Sequence, residues 1–208
     1  MPVNPMRPAP LRRHACAALA LAGIAGLAGW WRLRPAVAAP LEEDVCIVAP
    51  PTPYDPASGL PPTAARPVPA DARCPVCGMY PARSPGWAAQ VIFTNGDAQF
   101  FDSPLSLLRY LERVPTYTRG RSAADIAARY VTDADSGTWV EAHQAAYVHG
   151  STALGPMRAG NLPAFATREG ARRFADARGG RVLGFSEINA ALVAALAGPG
   201  HRHAVTKP

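Results

Sequence analysis

The chain has 208 residues and a formal net charge of +6, with 49% hydrophobic but only 8% aromatic residues, 23 prolines and 18 glycines. A prior of about 150 residues per domain allows one or two small domains, and an apolar content dominated by alanine and leucine allows a modest core, not a large one. The charge invites a nucleic acid or an acidic membrane as partner, but Arg7, Arg12, Arg13, Arg32 and Arg34 carry five of the six excess charges within residues 1–39, and the near-neutral remainder argues against a nucleic-acid-binding face.

Residues 1–39 have the anatomy of an export signal. A basic start leads into an uncharged run from Ala15 to Trp31 (ACAALALAGIAGLAGWW), and small residues at Ala38 and Ala39 suit cleavage. The run is 17 residues long and holds Gly23, Gly26 and Gly29, so it is short for a transmembrane helix. A cleaved signal is the leading reading, and a retained inner-membrane anchor through residues 15–31 is the alternative. Arg12 and Arg13 suit twin-arginine export and ordinary basic flanks alike. Export places the mature chain in an oxidising space, where Cys46, Cys74 and Cys77 are odd in number: one stays unpaired, pairs with another chain or holds a metal.

Residues 40–70 are proline-dense (PPTPYDPASGLPPTAARPVP) and predict an extended tether, with Cys46 a surface thiol of no assigned role. The folded part is expected over 71–198, in halves of about 71–118 and 119–198. In the first, WAAQVIFT and DAQFF flank Asn95-Gly96 and predict a hairpin. Ser103-Pro104 then caps a helix with Leu105, Leu107, Leu108 and Leu111 on one side, stopped by Val114-Pro115. In the second, ARYVTD, TWVEA and AAYVHG predict strands, Thr167 caps a helix ended by Gly179-Gly180, RVLGF predicts a strand, and SEINAALVAALAG predicts a last helix capped by Ser186 and closed by Gly198. FFDSPLSLLRYL and AFATREGARRFA share the order of apolar strand end, hydroxyl cap and helix, a weak internal duplication. Residues 199–208 form a tail whose His201 and His203 have local Cu(II) or nickel spacing, although a frayed end is the simpler reading.

The chemistry concentrates in RCPVCGMYPARSPGW, residues 73–87. A redox dithiol of the thioredoxin kind needs its CxxC at a helix start, where the dipole lowers a thiol pKa; Pro81, Pro85 and Gly86 predict no helix here. Structural zinc wants four ligands, and the second pair is missing, leaving His143 or His149 to complete such a site. Related short metal modules that begin CPVCGM place further cysteines at the start of the following helix, where this chain has Asp102-Ser103. Beyond the leader only Met79 and Met157 remain, both beside glycine or proline in loops. Methionine is ordinarily a gap filler, but thiolate with thioether is a soft donor set that favours Cu(I). Cys77, Met79 and Met157 meet at one site if the two halves face each other.

The stretch from about Cys74 to Ile188 resembles the NosL family, accessory proteins for maturation of nitrous oxide reductase: CPVCGM, then YVTD, a turn, tryptophan, AAYV, and GPM before AF. The resemblance implies an α+β fold of two similar small halves, each a short antiparallel sheet with one packed helix. It also implies a periplasmic Cu(I) chaperone, not an enzyme, delivering copper toward the copper-sulfide centre of the reductase with a NosDFY-type transporter as partner. By that resemblance the ligands are Cys77, Met79 and Met157, with Cys74, His143 and His149 as further candidates. Family members are often lipoproteins, whereas this leader has no lipobox, because Cys16 precedes the apolar run. The rival readings are a structural zinc-binding interaction module and a CxxC dithiol oxidoreductase.

Overall fold

The protein is described by a computed structural model over residues 49–158 and 162–196; the leader, Cys46, Gly198 and the tail histidines lie outside the described residues. Two antiparallel sheets are built in succession. Strands β1 (Ala89–Phe93) and β2 (Ala98–Phe101) form the expected hairpin, with Ala89 opposite Phe101 and Ile92 opposite Ala98. Gly96 turns the chain with φ of 88°, which a side chain would resist. Every residue of both strands is buried, as in a sheet covered on both faces.

Helix α1 (Pro104–Glu112) follows directly. Ser103 accepts the Ser106 N–H at 3.3 Å, Pro104 fills the first turn, and Leu105, Leu107, Leu108 and Tyr110 are buried beneath the sheet. Pro115 both stops this helix and opens the short α2 (Val114–Tyr117). The buried Tyr110 hydroxyl donates to Thr118 at 2.8 Å, which ties the two together.

The boundary between the halves falls later than 118. Strand β3 (Ile126–Thr132) pairs with β1, and β4 (Trp139–Glu141) pairs with β3, so the first sheet runs β2-β1-β3-β4. Residues 126–141 therefore belong to the first half: β3 offers Ile126, Ala128 and Val131 to cores already bounded by β1, and it finds its hydrogen-bond partner there. The second sheet runs β6-β5-β7, from β5 (Ala146–His149), β6 (Ala164–Phe165) and β7 (Arg181–Gly184). Helix α3 (Arg168–Arg178), capped by Thr167 and ended by Gly179, covers one face through Ala171 and Phe174 against Ala146, Val148 and Phe165. The other face sends Tyr147 into the main core with Phe101, Leu107 and Tyr110.

Helix α4 (Ala190–Leu196) starts later than Ser186. Asn189 accepts the Leu192 N–H at 3.0 Å, whereas Ser186 lies in a 3-10 turn that Glu187 closes by accepting the Gly184 N–H. The α4 residues Val193, Leu192 and Leu196 pack on the main core, alongside α1. Among the described residues no helix is long and apolar enough to cross a membrane.

The proline-rich stretch is extended but held. Thr52 and Ala98 exchange both backbone bonds at 2.7 and 2.8 Å, so a residue of the stretch pairs with β2. Gln90, buried in β1, offers its side-chain amide to both the N–H and the carbonyl of Arg66 at 3.0 Å. Tyr130 donates to the Thr63 carbonyl, and Val68 and Ala72 cover Ile92, Phe100 and Ala128. Residues 49–70 are thus a strap over the outer face of the first sheet, because that face is apolar and needs a cover.

Asp133 clasps the two sheets. It is 6% exposed, and its carboxylate accepts N–H bonds from Ala166 at 3.0 Å and Ser136 at 3.2 Å and the Ser136 hydroxyl at 2.6 Å. Its backbone forms a parallel bridge with Ala164, where the Ala134 N–H donates to the Ala164 carbonyl. Burial alone would raise its pKa, but the Ser136 hydroxyl and the N–H groups of Ala166, Asp135 and Ser136 outweigh burial and hold the carboxyl below its ordinary value. The ionised clasp is therefore fully stabilising above the unfolded carboxyl pKa of about 3.9 and is lost as pH falls through the lower folded value.

Asp133→Asn is expected to destabilise by about 2 kcal/mol near neutral pH in urea melts, with the gap to wild type closing below about pH 4. A gap that does not change with pH would show that charge plays no part in the clasp. A Cβ at Gly96 would sit 2.9 Å from Tyr54 of the strap, whereas one at Gly137, with φ of 74°, meets nothing within 4 Å. Gly96→Ala should then cost about 2–3 kcal/mol and speed proteolysis within residues 49–64, against about 1 kcal/mol and no proteolytic change for Gly137→Ala.

Candidate metal site

The CPVCGM segment is a closed loop built from its own backbone. The Cys74 N–H donates to the Met79 carbonyl and the Gly78 N–H to the Cys74 carbonyl, both at 2.8 Å. Gly78 takes φ of 75° to make this reversal, which explains the glycine between cysteine and methionine. Two 3-10 turns follow, Pro81–Arg83 and Pro85–Trp87, each opened by its proline. No α-helix follows the cysteines, as the prolines require.

The closed loop turns its two thiols inward. Cys74 is fully buried within the main core cluster, while Cys77 is partly buried and packs against that cluster beside Val76. Asp102, at the end of β2, joins them: both sulfurs and a carboxylate oxygen lie within 4.8 Å of one another. Asp102 is 1% exposed; one oxygen is 3.5 Å from the Ser103 hydroxyl and the other has no hydrogen-bond partner. An unpartnered buried carboxylate oxygen is costly, and a cation beside it removes the cost.

The Cys77 thiol is pushed far above its ordinary pKa, first by its hydrogen bond with Cys74, then by burial, then by the electrostatic influence of Cys74 and Asp102. The Met79 N–H acts the other way. Without metal Cys77 is held as a thiol, a poor nucleophile, and a metal that takes it as thiolate must release that proton. The donor set of two sulfurs and one carboxylate can hold a thiophilic cation with an open position.

The two methionines are exposed. Met79 is 38% exposed on the same loop, and Met157 is 50% exposed in the turn from Gly155 to Arg158, where the Arg158 N–H donates to Gly155. The structure thus brings Cys74, Cys77 and Asp102 together, sets Met79 on their loop, and leaves Met157 at the surface between β5 and β6. His143 stands 3.2 Å from Glu141 at the rim of an apolar groove lined by Leu108, Phe185 and Val193, and His149 ends β5 opposite Arg181. Neither histidine belongs to the thiol group among the described residues. Asp102 was not among the expected ligands, though its signal was legible: it occupies the place where related modules carry cysteine.

The chain is similar to known proteins over much of its length. A "Copper-binding lipoprotein NosL" from Stutzerimonas stutzeri is 32% identical over 129 residues, covering 62% of this chain and 67% of that protein. One of the same description from Achromobacter cycloclastes is 31% identical over 128 residues, covering 56% and 63%, so the chain spans about two thirds of the length of these relatives. The crystal structure of the copper chaperone NosL from Shewanella denitrificans superposes with a TM-score of 0.54 at 25% identity, over 63% of this chain and 99% of that one. The α+β arrangement of two small antiparallel sheets is shared with that structure. The sequence model of NosL matches residues 65–193, more than half of the chain, and the chain belongs to the NosL family.

Proposed function

We propose that this chain is a periplasmic Cu(I) metallochaperone, a carrier and not an enzyme, that supplies copper for assembly of the copper-sulfide centre of nitrous oxide reductase. A NosDFY-type transporter, and the reductase itself, are its proposed partners, and the N-terminal segment is its link to the membrane. The observation that carries the reading is the convergence of Cys74, Cys77 and Asp102, with Met79 exposed on the loop that bears both cysteines. The copper-binding descriptions of the two curated relatives support the choice of metal.

Copper is cargo in this reading, so the site must release as well as bind. Two buried thiolates give affinity for a soft monovalent ion, and the carboxylate supplies compensating charge. Thioethers of Met79, and of Met157 on its own loop, are weaker soft donors at the surface. They suit the outer end of a stepwise ligand exchange in which an acceptor sulfur takes the ion while one thiolate still holds it. A closed four-ligand structural site does not allow that exchange.

The Asp102 carboxylate favours one rival, a structural zinc module, because a hard oxygen donor suits zinc better than Cu(I). The two readings separate by substitution. In anaerobic chelator competition, Cys77→Ser should weaken Cu(I) binding by at least about a hundredfold, and Met79→Leu or Met157→Leu by about tenfold. A Cys77→Ser protein that holds Cu(I) as tightly as wild type would remove the site assignment.

Asp102→Asn should lower Cu(I) affinity less than about tenfold. If it instead abolishes tight zinc binding by a protein that takes no copper, the zinc module is correct. In the host, loss of this chain should leave nitrous oxide reductase deficient in copper at its copper-sulfide centre, and a fully loaded reductase would overturn the proposed destination.

A further inference from the structure

Each exposed methionine lies in a segment that carries arginine and no acid. From Ala72 to Ala88 the chain carries Arg73 and Arg83 and no Asp or Glu, and from Gly150 to Ala166 it carries Arg158 and none. The nearest acid in sequence ahead of the first loop is the exposed Asp71, and Asp102 beneath it is buried. Outside the leader the chain is nearly neutral, so this placement is a local bias and not the reflection of a basic protein.

The first two charges are held in place. The Tyr80 ring, adjacent to Met79, has the Arg73 guanidinium 4.3 Å and the Arg83 guanidinium 4.6 Å from its centroid. Arg73 also donates to the Tyr80 hydroxyl and, at 3.3 Å, to the Gly78 carbonyl. Among the described residues neither guanidinium forms an ion pair, although Arg121, Arg168, Arg172 and Arg173 do. Stacking on an aromatic face fixes a cation without neutralising it, so both charges still project a field.

Arg158 supplies an independent observation. It is the one residue other than glycine with positive φ among the described residues, at 55°, beside the half-exposed Met157. Left-handed backbone is uncommon for a long side chain. Asparagine or glycine would occupy this turn with less strain and would carry no charge.

We propose that the two methionine loops are electropositive landing surfaces and that the copper-exchange partner is a protein whose own metal-binding loop is acidic. The inference rests on the copper-carrier reading above and adds the chemistry of the partner. Arginine on this side and carboxylates on the other would speed encounter and orient the sulfurs for exchange, while contributing little to copper affinity.

The test uses two synthetic acceptor peptides with the same cysteine and two methionines, one flanked by four glutamates and the other by four lysines. Stopped-flow transfer of Cu(I) from the loaded full chain should be about tenfold faster to the acidic peptide at low ionic strength, and the difference should shrink toward unity at several Debye lengths of screening. Arg83→Glu with Arg158→Glu should reverse the order of the two peptides while Cu(I) affinity in chelator competition stays within about twofold. Should the double variant fail to fold, the salt dependence of the wild-type rates decides the matter.

Equal rates for the two peptides at low salt, or a preference indifferent to salt, would overturn the docking proposal and leave the carrier reading standing. Failure of the full chain to bind Cu(I) at all would instead overturn the carrier reading, and the docking proposal with it.

Discussion

The second sheet is placed relative to the first by a carboxylate that receives hydrogen bonds from both. Asp133 leaves β3 at the end of the first sheet, accepts from its own turn through Ser136, and reaches across to the Ala166 N–H just past β6. The loop from β5 to β6 carries Met157, so the clasp also fixes the return end of that loop. A buried acceptor with this many donors is worth more than a surface ion pair, because each N–H would otherwise be left unsatisfied. Core packing through Tyr147 and Leu162 supports the same join from inside.

The thiol site is a second constraint of the opposite kind. The hydrogen-bonding capacity of Asp133 is met, whereas one oxygen of Asp102, equally buried, is not. A fold can tolerate such a group at a cost of about 1–3 kcal/mol, and it is tolerated here beside the Cys77 thiol, which is itself held protonated. The apo site is thus unfavourable in a way that a bound cation relieves. Cys74, Cys77 and Met79 form a series from fully buried through partly buried to exposed along six residues of chain. The backbone bonds from Cys74 to Met79 and from Gly78 to Cys74 hold that gradient in one loop.

Local chemistry was legible in the sequence and long-range pairing was not. Asn95-Gly96, Ser103-Pro104 and Thr167 each state their structure within four residues, and each forms the expected turn or cap. The proline-rich segment was read as a tether because proline content reports an extended backbone but not what lies against it. Its holding depends on Gln90, Tyr130 and Ala98, some 24 to 67 residues away for the side-chain bonds. The half boundary moved for the same reason, since only pairing with β1 assigns β3 to the first sheet. Ser186 and Asn189 compete as caps, and the choice turned on Glu187 closing a separate turn. At the site the cysteine pair is plain in the sequence, whereas Asp102 is a hard donor and carries no soft-metal signal of its own.

The exposed thioethers carry one further physical consequence for a copper carrier of this design. A thiol must lose its proton to bind as a thiolate and regains it on release, and the neighbours of Cys77 make that proton hard to remove. A thioether has no proton to exchange and carries no charge in either state. In the proposed exchange a thiolate that gives up the ion to an acceptor sulfur would take back a proton, and the reprotonated thiol would be a weaker competitor for the ion. On the copper-carrier reading, the proton-coupled thiol ligands would stand at the buried end of the exchange and the proton-free thioether of Met79 at its exposed end.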